Sequence, residues 1–599
     1  MKKKVLSLCV CLLMATVALT GMGCSRKGPD DEPINQDATQ LLVGNFDGGY
    51  GDAWLKEVKA RFEEKYKDVS FEEGKKGVQV IIDTNDKYQG SGVIQQIASW
   101  PQHVILSEAS DYYQLVGTNP NRTRIVDITD VVTSPMNYDF ILGETDPSLS
   151  ETNSIEEIMN PSMREYFKQE ETGKFYGVPF YEATVGFVYD IDLFEEYGFY
   201  YCADGYGDSS GFAQDGNGNW MGRGAAVLGS KSSMTFEQAK AAGMKLSNGP
   251  VGKEGTWDDG MPATYDEFFK LCEYIKQGAA TPLVWTGANY KDYLNSFMTS
   301  LTTDYEGLDQ MMLNYTLSGS ATDLGTAQNG QFVKDASATA ITESNGYELA
   351  RQAGKYYALQ FVEKICRNDN YHFGSTFNSA YSHMNAQEDF LYSGKDGETD
   401  PIAMLIDGIW WESEATPTFN EMTSNMGEQY SKANRNFGFM PFPKATQEKV
   451  AEGKKTLYDH IFSMCFMKAN IEEWKKPIAY DFIKFVNSDA QLVEYSQITD
   501  TPKALNYTMD DAQLDKMSPF GRSVIKAKQS SDIVYPFSTA KKYVNNQSSF
   551  AMAEMFRTSI GSSEYQWAAN AFHENNSLTV DAYFGGMKTY TQNNWSKLA

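Results

Sequence analysis

The chain has 599 residues, room for three or four domains of ordinary size or two large ones. Its 41% apolar residues can fill sizeable cores, which excludes a disordered chain. A formal net charge of −27 repels phosphate backbones and anionic headgroups and argues against nucleic-acid binding. With 36 Tyr, 34 Phe and 10 Trp, the composition suits a soluble protein that handles neutral or polar solutes.

Lys2, Lys3 and Lys4 precede Val5 to Thr20, a mostly apolar run that ends in small residues. A basic start and a short apolar run describe an export signal, and the run is shorter than the ~20 residues of a spanning helix. It closes Gly21-Met22-Gly23-Cys24, which resembles a bacterial lipobox, although Gly21 stands where Leu is usual. Residues 1–23 are therefore expected to be a signal peptide, and 24–39 a polar tether lipidated at Cys24, which would hold the protein outside the cell. Of the remaining cysteines, Cys272 and Cys465 lie in apolar segments, so free core thiols are favoured over two disulfides among Cys202, Cys272, Cys366 and Cys465.

The folded part opens on Leu41-Leu42-Val43, a short strand, followed by a Gly-rich loop from Asn45 to Asp52. Trp54, Val58, Phe62 and Tyr66 then recur every four residues, the period of one helix face, with Asp52 placed to cap it. Val78 to Ile82 reads as a second strand, Val93 to Trp100 as a short helix and His103 to Leu106 as a third strand. Alternation of this kind predicts a parallel sheet with ligands beyond its carboxyl ends, at Phe46-Asp47 and Ser107-Glu108. Further on, Thr264-Tyr265-Asp266-Glu267 predicts a capping box, and a helix is expected from about Glu472 to Val486. The Gly-, Asp-, Ser- and Asn-rich stretch at about 200–261 reads as an insertion.

No catalytic motif stands. Gly207-Asp208-Ser209-Ser210-Gly211 matches G-x-S-x-G but lacks the apolar strand that a nucleophile elbow needs. Asp215, Asn217 and Asn219 match three EF-hand positions, yet Trp220 and Ala226 replace the required Gly and Glu. Loose calcium binding in the 204–219 loop is the most it could offer; no cofactor and no other metal site is expected.

Phe175-Tyr176-Gly177-Val178-Pro179-Phe180-Tyr181 leads into Val185-Gly186-Phe187-Val188-Tyr189-Asp190 and Asp192-Leu193-Phe194. Pro262 to Phe268, Ala403-Met404-Leu405-Ile406-Asp407-Gly408-Ile409-Trp410, Asn436 to Pro443 and Phe482 to Phe485 follow in order. Together these segments resemble the extracellular solute-binding proteins of bacterial carbohydrate ABC transporters, the maltose-binding type, from about residue 41 to 507. Asp190 stands where that family usually has Asn.

The resemblance implies an α/β, type II periplasmic-binding-protein-like fold: two lobes of parallel-rich sheets with flanking helices around a hinged cleft. One lobe would hold 40–180 plus 462–505, the other 181–461 plus 506–599. The expected function is capture of a sugar or oligosaccharide and its delivery to the permease subunits of an ABC importer, without enzymatic activity. A monomer that touches the membrane only through its lipid is expected. By motif position the ligand-binding residues would be Asp47, Glu108, Tyr181, Trp285, Tyr290, Asp407 and Trp410. Carboxylates would accept hydroxyl hydrogen bonds, and aromatic faces would stack on sugar rings. The alternatives at this stage are a binding protein for a peptide or other solute, an exported carbohydrate-active enzyme and a surface adhesin.

Overall fold

The computed structural model describes residues 33–108, 111–117, 123–170, 172–197, 199–200, 246–278, 280–288, 290–395, 397 and 399–598. The signal segment, Cys24, Cys202, the G-x-S-x-G match and the acidic loop at 204–219 lie outside them.

In chain order the elements that place the site are as follows. β1 (Thr39–Asn45), α1 (Ala53–Lys65), β2 (Val78–Thr84), β3 (Val104–Glu108) and β4 (Val178–Pro179) come first. β5 (Val185–Asp190), α2 (Tyr265–Gln277), β6 (Thr281–Val284), α3 (Tyr290–Thr316), α4 (Ala353–Arg367), β7 (Ile402–Gly408), β8 (Phe437–Met440) and β9 (Thr456–Tyr458) follow. β10 (Ser463–Met467), α5 (Lys476–Phe485), α6 (Asp489–Thr499), α7 (Pro519–Gln529), β11 (Asp532–Val534) and α8 (Val580–Trp595) close the chain.

Two sheets define two α/β lobes. The first has the order β2-β1-β3-β10-β4, with β1 parallel to β2 and β3, and β10 antiparallel to β3 and β4. The second has the order β8-β5-β7-β6, with only β7 and β6 parallel. β3 is buried on both faces over Val104–Ser107, and β1 on one face, with Gln40 and Leu42 half-buried on the other. α1 supplies part of their cover through Trp54, Leu55, Val58 and Phe62.

Local details depart from the sequence pattern for identifiable reasons. Asp52 does not cap α1; its backbone (φ −116°, ψ 4°) is not the extended form that aims a side chain at the first N–H groups, and its carboxylate lies 3.2 Å from Lys56 Nζ instead. Half of the capping box forms at α2: Thr264 accepts from Glu267 N–H, but the Glu267 carboxylate accepts from Ala263 N–H, 2.6 Å away. The helix expected from Glu472 begins at Lys476, where Pro477 fits the first turn, after a 3₁₀ turn at Glu473–Lys475. Asp190 is buried, accepting from Leu193 N–H at 3.0 Å and paired with Arg435 at 2.9 Å, so its extra charge is matched. Cys272, Cys366 and Cys465 are free and buried. Within the expected insertion, residues 246–262 form turns around the buried Asp258, which accepts from Val251 N–H and Thr256 Oγ1.

The chain passes between the lobes three times: from β4 to β5, from β9 to β10, and from α6, which packs on α1, to α7, which packs on β8. These passages bond to one another. Ala183 N–H donates to Asp459 Oδ1 at 2.8 Å, His460 N–H to Ala183 O at 2.7 Å, and Ala504 N–H to Phe180 O at 3.1 Å. Glu182, in the first passage, pairs with Lys528 of α7 and accepts from Tyr535 Oη at 2.7 Å. Lys503, in the third, donates to Val486 O at 2.6 Å beneath the rings of Trp54, Phe180 and Tyr495.

Candidate functional site

The loop after β1 is where the lobes meet. Gly48 (φ +62°) and Gly49 (φ +82°) adopt left-handed backbone, which only glycine takes without strain. A Cβ on Gly48 would lie 2.9 Å from Tyr181 Oη, and one on Gly49 would lie 3.0 Å from the Trp410 indole. The loop thus threads between a tyrosine of the first passage and a tryptophan of the second lobe. Two independent constraints, backbone and space, select glycine at both positions.

Around that loop the polar groups converge. Tyr181 Oη donates to the Glu108 carboxylate at the end of β3. Burial pushes Glu108 up to about 7. Asp47, half-buried, accepts from Gly51 N–H at 2.7 Å through Oδ1, which fixes the turn. Tyr50 packs on Tyr181 with ring centroids 4.5 Å apart, and its hydroxyl donates to Glu182 O at 2.8 Å. Asp47, Glu108, Tyr181 and Trp410 are therefore brought together around one loop.

Trp410 follows β7 and is 9% exposed. Gly408 does not serve here as a left-handed turn; it leaves room for the indole, which folds back over it and would overlap any Cβ there. Tyr293 stands edge-on to the same ring, 6.4 Å between centroids.

Two other candidates are placed elsewhere. Trp285 is wholly buried, tilted against His372 and edge-on to Phe377, and belongs to the second lobe's core as the chain is folded here. The segment 372–381 roofs it: Phe373 N–H donates to Leu283 O and Ala288 N–H to Tyr381 O. Asp407 is also core, its carboxylate accepting from Gly408 N–H at 2.6 Å and Gln387 Nε2 at 3.0 Å. Gln387 Nε2 also donates to Glu414, which lies 3.3 Å from His383 Nε2. Tyr290 is placed as the first residue of α3.

Burial, and secondarily the charge of Glu414, push Asp407 from its ordinary 3.8 up to about 7. The folded protein then holds a proton that the unfolded chain has released, so raising the pH from about 4 to about 7 costs stability, and the full cost persists above that window. Asp407→Asn should remove this dependence. The stability of the wild type relative to the variant should fall across pH 4–7, by no more than ~1.4 kcal/mol per unit. Denaturant melts at three pH values check it, and parallel curves would count against the assignment.

Asn45 was missed by sequence reasoning. It ends β1 at 1% exposure, and neither end of its side-chain amide has a hydrogen-bond partner among the described residues. Such a group is costly unless something pairs with it. A polar residue closing a strand whose centre, Leu41 to Val43, is apolar, two positions before Asp47, was the available signal. Among the described residues no group of three or more His, Cys, Asp or Glu is placed to hold a metal ion, and no helix is long and apolar enough to cross a membrane.

No protein family matches the chain, and no curated protein resembles it in sequence. Its structure is similar to one described as a chitin oligosaccharide binding protein, at 14% identity and a TM-score of 0.47, over 94% of this chain and 100% of that one. It is also similar to a cyclic alpha-maltosyl-1,6-maltose binding protein from Arthrobacter globiformis, at 11% identity and a TM-score of 0.46, over the same shares.

Proposed function

We propose that this chain is a binding protein, not an enzyme, which captures a neutral sugar or oligosaccharide where the two lobes meet. The observation that carries the reading is the convergence of Asp47, Glu108, Tyr181 and Trp410 on one glycine loop between the lobes. Sugar hydroxyls need acceptors and donors close to an aromatic face, and this cluster offers all three. The unpaired amide of Asn45 supplies a further donor and acceptor. Three passages form a hinge, and a solute held between the lobes would favour the closed form over the open one.

In this reading the closed protein hands its sugar to the permease subunits of an ABC importer, and Cys24 carries the lipid that keeps it at the membrane. A thermal-shift panel of oligosaccharides tests the binding. A ligand at 100 times its dissociation constant should stabilise by ~2.7 kcal/mol, and a panel in which no sugar moves the melt would sink the proposal. The anchor has its own test. The wild type should partition with membranes and Cys24→Ser should be released or left unprocessed; unmodified wild type wholly in the soluble fraction would overturn the lipid assignment.

A further inference from the structure

We propose a second solute site at the rear of the hinge, which takes a short, uncharged oligosaccharide and is coupled to the cleft. A cavity of about 1070 Å³ lies there, with no lining residue in common with the Asp47–Trp410 cluster. That is the upper end of small-molecule sites, so it admits several linked rings. One wall is α6, through Val493 and Gln497; the opposite wall carries Leu308, Lys528 and Tyr535. The walls thus belong to different lobes, and the cavity's width follows the hinge angle.

Its position relative to the cleft comes from one passage. Tyr181 and Glu182 are successive residues of the first passage, and successive side chains of extended backbone point to opposite sides. Tyr181 reaches Glu108 in the cleft, whereas Glu182 reaches Lys528 and Tyr535, both of which line the cavity. The two sites stand back to back on that shared passage.

The lining selects the ligand class. The Lys528 ammonium is already held by Glu182 and by Lys503 O at 3.0 Å, so it gives an anion no free cation. Asp489 and Asp532 add negative charge that would repel a phosphate or carboxylate, while the Glu494 carboxylate is paired with Arg61. What remains is neutral: the amide of Asn153, with Gln497 Oε1 and Gln513 Nε2, whose other amide atoms are taken by Gln513 O and Asp510 N–H, beside the half-buried ring of Tyr507. Amides that donate and accept next to an aromatic face match a polyhydroxylated, uncharged solute. Because such a ligand would favour one hinge angle, it must alter cleft affinity, and the cleft ligand must alter its affinity by the same factor.

Calorimetric titration of the full chain with maltotriose, cellotriose, triacetylchitotriose and raffinose tests this. At least one should bind the wild type at two sites. Gln497→Trp, which fills the cavity from α6, should remove one site, and Trp410→Ala should weaken the other. Gln497→Ala, a milder change should the indole impair folding, should weaken the rear site at least threefold. Filling one site should shift affinity at the other fivefold or more. A folded Gln497→Trp with wild-type stoichiometry and affinity overturns the rear site and leaves the cleft reading intact. Loss in Gln497→Trp with none in Trp410→Ala does the reverse, and no binding of any of the four overturns both.

Discussion

Truncation of Trp410 to Ala should weaken sugar binding ten- to thirtyfold. A sugar ring stacked on the indole removes roughly 60–80 Å² of apolar surface from water, worth ~1.5–2 kcal/mol, and each tenfold in affinity is ~1.4 kcal/mol. The geometry adds a second, independent route to the same loss. Because the indole lies over Gly408 where a Cβ would overlap it, Gly408→Ala should evict the ring and weaken binding in the same direction. Combined with Trp410→Ala, it should add little, since both changes remove one interaction. Titration calorimetry and a denaturant melt on the same proteins check this. A ring that served only as core would lose ~3–5 kcal/mol of stability with affinity untouched, and that pattern would refute the cleft assignment.

Lys528→Met should destabilise the fold by ~3–5 kcal/mol, because it strands a buried carboxylate. Glu182 is 1% exposed and would keep only the Tyr535 hydroxyl and its own backbone contacts. Asp459 stands near it, its carboxyl pushed well up by burial and then by the Glu182 charge. Removing the Lys528 ammonium leaves the acidic partners to neutralise themselves by protonation, which costs stability at pH 7. The double variant Lys528→Met/Glu182→Gln should recover most of the loss, since the uncompensated charge is gone. Equilibrium denaturation measures both; a single variant that loses under ~1 kcal/mol would show that the hinge does not depend on this pair.

Much of this was legible in the chain itself, and the reasons are physical. The strands at 39–45, 78–84 and 104–108 are built on short apolar runs, Leu41–Val43, Val80–Ile82 and Val104–Leu106, and α1 carries its apolar residues at a period of four, so burial largely fixes them. Asp47, Glu108, Tyr181 and Trp410 converge because each ends a strand or lies in a passage between sheets, a placement that follows from topology. Trp285 and Asp407 occupy similar strand-end positions, yet the roof at 372–381 and the Gln387–Glu414 cluster bury them, and nothing local in the sequence announces either. The Lys528–Glu182 pair joins residues 346 positions apart, beyond any periodicity. Gly408 matters through its missing side chain, which leaves room for the Trp410 indole, a close approach that no local pattern announces.

The three described thiols offer a use that has nothing to do with disulfides. Cys465 sits on β10 in the first lobe's sheet, while Cys272 and Cys366 sit on α2 and α4 beside the second. Burial pushes all three up from the ordinary thiol range, so none presents a thiolate to a reagent in the folded protein. A maleimide added under native conditions therefore waits for local opening, and the modified peptide identifies the lobe that opened. Followed by mass spectrometry, the labelling of Cys465 and that of Cys272 and Cys366 become two separate clocks, and a solute that bridges the lobes would slow both.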